Sequence, residues 1–98
     1  MRLDQRELTA IRSAARLAFG PTAVVRLFGS RADDTRKGGD IDLHVEIGDD
    51  LDAWQARTRF EDCVFARIEE QRIDLVLHRR GDPMRGIDLI AHRDGVPL

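Results

Sequence analysis

The chain lacks the features that mark several large protein classes. It has one cysteine, Cys63, in 98 residues, so no intramolecular disulfide can form and a reducing, cytoplasmic setting is expected. No apolar stretch approaches the length of a membrane span. The opening residues Met1-Arg2-Leu3-Asp4 are not followed by the apolar run of a signal peptide. Positive charge is not in excess: 16 basic and 18 acidic residues give a net charge of −2. That balance speaks against direct, bulk electrostatic binding of nucleic acid and leaves room for a small charged substrate such as a nucleotide. Repeats, low-complexity tracts and linkers are also missing, so residues 1–98 are expected to form one small domain. An apolar fraction of 42% and a charged fraction of 35% are the proportions of a soluble globular protein.

What is present is strongly patterned. Asp4 followed three residues later by Glu7 has the form of a capping box, and Leu8, Ile11, Ala15 and Ala18 recur at helical spacing. Gly20-Pro21 stops that helix. Residues 23–28 form an apolar, β-branched run that predicts a first strand, ended by Gly29-Ser30. Residues 31–39 are polar and read as a turn with room for one helical turn after Ser30. Residues 40–47 alternate with period two: Ile41, Leu43, Val45 and Ile47 face one way, and Asp40, Asp42, His44 and Glu46 the other. A second helix is predicted over residues 51–71, with Ala53, Ala56, Phe60, Val64 and Ile68 as its apolar stripe. Residues 73–77 predict a third strand, with Asp74 on the face opposite Ile73, Leu75 and Leu77. Residues 87–93 predict a short closing helix ended by Gly95.

Connection lengths place the acids. Eleven residues, 29–39, separate the first two strands, near the lower limit for a parallel crossover, so an antiparallel pair is expected. Residues 48–72 contain a full helix, ample for a right-handed crossover to a parallel neighbour. The end of strand one and the starts of strands two and three then share one sheet edge. Gly29-Ser30, Asp40, Asp42 and Asp74 should meet there, on one face if the apolar residues of strand three join the core of strand two. Carboxylates so close repel, and a hard divalent ion such as Mg²⁺ resolves the conflict because it prefers oxygen ligands. Paired ions stabilise the attacking and leaving oxygens of a displacement at phosphorus. Glycine permits close approach of a phosphate, and a serine at a helix start offers hydroxyl and N–H donors. Arg31, Arg36 and Lys37 lie near enough to offset triphosphate charge.

Leu27-Phe28-Gly29-Ser30-Arg31-Ala32, Gly39-Asp40-Ile41-Asp42-Leu43 and Ile73-Asp74-Leu75 together resemble the minimal nucleotidyltransferase domains of the DNA polymerase β superfamily. The likeness runs from the first strand to the third, and its specificity lies in the combination, since an isolated Gly-Ser or Asp-x-Asp is weak. It implies an α+β fold with a small mixed sheet of three to four strands packed against helices. It implies that Asp40, Asp42 and Asp74 bind two Mg²⁺ ions, with Asp74 also helping to activate the attacking hydroxyl. Gly29 and Ser30, with Arg31 beside them, would hold the phosphates of ATP or another nucleoside triphosphate. Many members carry glycine at the position of Asp34 and serine or threonine at that of Gly39. Small stand-alone members are similar to antitoxins that pair with an all-helical HEPN ribonuclease toxin and silence it by adenylylating a tyrosine. The short stretch after the third strand leaves no room for an acceptor-binding domain, so the acceptor or a partner must supply that surface.

The remaining residues receive plainer readings. His44 and His78 are expected on the solvent-facing or supporting side of the strands, without the clustered ligands a Zn²⁺ site needs. His92 has no partner pattern. Cys63 reads as a small core residue, and Trp54 and Phe60 as core or interface residues. The expected function is a Mg²⁺-dependent adenylyltransferase acting on a partner toxin. The alternatives are an antitoxin that neutralises by binding alone, and nucleotidyl transfer to a small molecule or an RNA end.

Overall fold

The computed structural model of the chain describes every residue except Asp34, Arg36, Lys37, Gly38 and Asp49. The first helix, α1, spans Gln5–Phe19. Its capping box is closed from both sides: Glu7 N–H donates to Asp4 Oδ1 at 2.7 Å, and Asp4 N–H donates to Glu7 Oε1 at 3.0 Å. Strand β1 (Val24–Phe28) leads into a 3₁₀ turn over Gly29–Ala32. Strand β2 (Ile41–Ile47), helix α2 (Ala53–Phe65), strand β3 (Ile73–Arg79), helix α3 (Gly86–Asp94) and strand β4 (Val96–Pro97) follow. Helix α2 is shorter than the apolar periodicity predicts and ends before Ile68, which still packs against the core from the segment beyond it. Strand β4, only two residues long, has no sequence pattern that could announce it. Among the described residues no helix is long and apolar enough to cross a membrane.

The sheet order is β3-β2-β1-β4, with β1 antiparallel to β2 and β2 parallel to β3, the pairing that connection lengths predict. This is an α+β fold with a mixed four-strand sheet. Its apolar face presents Leu27, Ile41, Leu43, Val45, Ile47 and Leu75, all buried, to α1 and α2. Small residues on α1 (Ala10, Ala14, Ala15, Ala18) let the helices approach closely, and Phe19 stacks on Phe60 of α2 with ring centroids 5.6 Å apart. Each fully buried aliphatic side chain contributes roughly 1.5–3 kcal/mol. A one-residue slip of β2 would move four of them out of the core and carry the acids in. The same apolar side chains that stabilise the fold therefore fix the register of the carboxylates.

The opposite face is covered by α3. Sequence patterning assigns it to solvent or to a supporting role, but His44 is completely buried and His78 nearly so. The cause is Asp88, enclosed on the inner side of α3, whose Oδ1 lies 2.8 Å from His44 Nε2. A polar stripe on a strand can be interior when a helix brings the complementary polar group.

Candidate functional site

The register sets Phe28 beside Asp42 and Asp42 beside Asp74 in one row across three strands. Asp40 lies one residue before β2, at the same edge. Three carboxylates thus converge where sequence reasoning places them. The Asp42 carboxyl is pushed above its ordinary value, first by partial burial and then by the charges of Asp74 and Asp40, with Arg72 acting in the opposite sense.

Arg72, which the sequence reading passes over, is the local cation. Its Nε lies 3.3 Å from Asp74 Oδ1 and 3.6 Å from Asp40 Oδ2. Among the described residues no three His, Cys, Asp or Glu side chains stand closed around one point as a ready-made metal site; the trio is open around the guanidinium. The donor set nevertheless suits a hard divalent ion, being all carboxylate oxygen, and Arg72 is mostly exposed, so it can leave. Arg72→Ala is expected to tighten Mg²⁺ binding severalfold at low salt, measured by titration calorimetry. Unchanged or weaker binding would show that Arg72 does not compete for the acids.

Gly29 provides the close approach. Its φ is +72°, in the left-handed region, and a Cβ at this position would collide with Asp42 Oδ2. The carboxylate occupies the space a side chain would need, so glycine is required twice, for the turn and for the contact. Gly29→Ala is expected to cost about 1–3 kcal/mol from the backbone alone and to displace Asp42 as well, visible as a fall in Tm together with loss of divalent-ion binding. Full retention of binding would contradict the contact. Ser30 follows in the 3₁₀ turn, and its carbonyl accepts from Arg2 Nη2 at 3.2 Å. With only one turn, Gly29–Ala32 has little dipole to offer an anion, so a phosphate here would be held by local N–H and hydroxyl donors.

Arg31 is placed as a clamp. Its Nη1 donates to Arg2 O at 2.9 Å, and its Nη2 donates to Gly39 O at 2.9 Å and reaches Gln71 Oε1 at 3.5 Å. Glu7 Oε1 lies 3.6 Å from Nη1. One guanidinium thus ties the start of α1, the approach to β2 and the approach to β3, the segments that carry Asp40 and Asp74. Arg36, Lys37 and Asp34, considered for a role near the phosphates, lie outside the described residues. Asp33 is turned to its own loop, accepting from Thr35 N–H and Oγ1 at 2.9 and 2.7 Å.

Beyond the acids, the same sheet face carries a second polar system under α3. Arg85 donates through Nε to Asp88 Oδ2 at 3.0 Å and through Nη2 to Asp88 Oδ1 at 3.1 Å, and its Nη2 also donates to Leu77 O at 2.9 Å. Asp88 is consequently held well below the usual carboxylate range, chiefly by Arg85 against the opposing effect of burial, with His44 adding to it. His44 stacks on His78 at 6.1 Å and meets His92 edge-on at 5.7 Å. His92, without a partner pattern in the sequence, has its Nε2 2.8 Å from Glu46 Oε1. The signal that could have revealed this system is a lone aspartate, Asp88, inside the apolar run Ile87 to Ala91. Trp54 is 76% exposed and so is not a core residue, whereas Cys63 is partly buried against the core. Comparison with protein-family models finds no match, and neither does comparison with curated proteins.

Proposed function

We propose that this chain is a Mg²⁺-dependent nucleotidyltransferase that moves a nucleoside monophosphate, such as AMP, from a nucleoside triphosphate to a protein hydroxyl. The observation that carries this reading is the convergence of Asp40, Asp42 and Asp74 at one sheet edge with Asp42 packed against Gly29. In this reading Asp40, Asp42 and Asp74 hold the metal, and a bound Mg²⁺ supplies charge stabilisation at the reacting phosphorus. Gly29 and Ser30 offer donors to the phosphates. Asp74 accepts the proton of the acceptor hydroxyl as its oxygen bonds to the α-phosphorus. The bond from the α-phosphorus to its bridging oxygen breaks, and pyrophosphate leaves with the electron pair. Arg31 positions the two segments that bear Asp40 and Asp74.

The resemblance to minimal nucleotidyltransferase domains extends the proposal to a cytoplasmic antitoxin that modifies a small, all-helical HEPN-type toxin. The test is incubation with Mg²⁺, labelled nucleoside triphosphates and such a partner. Covalent label on the partner supports the reading, and its absence with every nucleotide refutes it.

A further inference from the structure

Strand β3 is the outermost strand of the sheet. Its hydrogen-bonding direction is fixed at both ends: Ile41 N–H donates to Arg72 O, and Arg80 N–H donates to Ile47 O. In a parallel strand alternate residues point both backbone groups the same way. Residues 72, 74, 76, 78 and 80 therefore address β2, and Ile73, Leu75, Leu77 and Arg79 address the open side. The far end of that side is closed, because Leu77 O accepts from Arg85 and Arg79 O from Asp82 N–H. Before that closure, from Leu75 to the N–H of Leu77, the strand borders a groove of about 780 Å³ lined by Trp54 and Arg57 of α2, by Arg85, and by Leu75, Val76 and Leu77. An exposed indole beside outward-facing strand groups that have no backbone partner among the described residues fits an extended polypeptide better than a compact small molecule.

We infer that an extended, carboxylate-bearing segment of a partner protein, lying outside that partner's helices, adds to this edge of β3 as a fifth strand, and that it is the acceptor. The docking stands on the edge itself; its role as acceptor rests on the nucleotidyl-transfer reading above. Charge selects the occupant. Arg57 stands on the α2 side of the groove with no acidic partner among the described residues, whereas Arg85 is held by Asp88. A second copy of this chain would bring the same arginine against it, whereas a carboxylate on a foreign strand complements it. Register then gives the edge its chemical meaning. Neighbours across a sheet share a face and stand roughly 4.5–5.5 Å apart. The added residue beside Asp74 extends the row Phe28, Asp42, Asp74, so a hydroxyl there is delivered to the carboxylate that takes its proton.

The sole tryptophan, Trp54, is a built-in probe. The full chain would be titrated, without nucleotide or metal, with a nine-residue peptide of alternating valine and threonine bearing one serine and two glutamates, and with its twin bearing two lysines. The glutamate peptide is expected to shift Trp54 emission and to slow amide exchange at Ile73, Leu75 and Leu77, leaving Asp74, Val76 and His78, already bonded to β2, unaffected. The lysine twin should bind at least about tenfold more weakly, and Arg57→Glu should reverse the order. No effect at those three amides, or equal binding of both peptides, would overturn the proposal. So would protection that rises with protein concentration alone, which would make the edge a self-interface. These readouts involve no transfer, so a failure of the chemistry is distinguishable from a failure of the docking.

Discussion

Asp42→Asn is expected to abolish nucleotidyl transfer while making the metal-free protein more stable, two effects of opposite sign from one atom. Asp42 sits between Asp40 and Asp74 with Gly29 against its back, and its carboxyl is raised above the ordinary value near 3.8 by burial and by those two charges. A carboxyl whose pKa is higher in the fold than in the unfolded chain costs stability as pH rises through the raised value, and costs nothing well below the ordinary one. Asparagine cannot ionise. The variant should therefore show the higher Tm at neutral pH, with the gain shrinking as pH falls through the carboxylate range. Adding Mg²⁺ should raise the Tm of the parent and not that of the variant. Transfer should fall by a factor on the order of 10³, the loss typical of removing one strong electrostatic element from a transition state. A variant that is less stable than its parent in the absence of metal, or that keeps most of its transfer activity, would contradict this assignment.

The second large effect is on stability. Asp88→Ala removes the acceptor for the buried His44 ring and one partner of the Arg85 fork. With Asp88 ionised, His44 Nε2 carries the proton and donates it; His44 Nδ1 is already enclosed, with no hydrogen-bond partner among the described residues. Breaking a buried pair from one side costs about 3–5 kcal/mol, a fall in Tm of more than about 10 °C for a domain of this size. Asp88→Asn keeps an acceptor for His44 and loses only the charge, so its cost should be smaller. The pH dependence has a definite sign. The folded value of Asp88 is depressed, so its stabilisation is complete above the ordinary carboxylate range and is lost as pH falls below about 4. Equal stability of the parent and Asp88→Ala at neutral pH would remove the argument that this carboxylate holds α3 on the sheet.

The two systems differ in how far the sequence discloses them. Strand β2 declares itself by strict alternation, and the lengths of its two connections determine that β1 runs against it and β3 along it. With strand directions known, the meeting of Gly29, Asp40, Asp42 and Asp74 follows without coordinates. The Asp4–Glu7 capping box is equally local, which is why it can be read directly. What pattern alone does not carry is the partner of a polar face. His44 and His78 look like solvent residues because alternation says only which side they are on, not what covers that side; Asp88 answers that question from 44 residues away. Arg72 escapes for a related reason, and Arg31, read from the sequence as a phosphate neighbour, escapes in its structural role. An arginine's reach spans several neighbours, and only the folded register shows that Arg72 lies between two carboxylates and that Arg31 joins three backbone segments. The early end of α2 reflects competition: Ile68 satisfies the helical stripe, but it packs on the core from outside the helix.

The most direct measurement of the central claim is paramagnetic broadening by Mn²⁺, used in place of Mg²⁺, in amide spectra of the full chain with and without ATP. Sub-stoichiometric Mn²⁺ should erase the signals of Gly29, Asp40, Asp42 and Asp74 first, and Asp42→Asn should restore them. Broadening centred instead on His44, His78 and His92, or no selective broadening at all, would contradict a divalent-cation site built by these three aspartates.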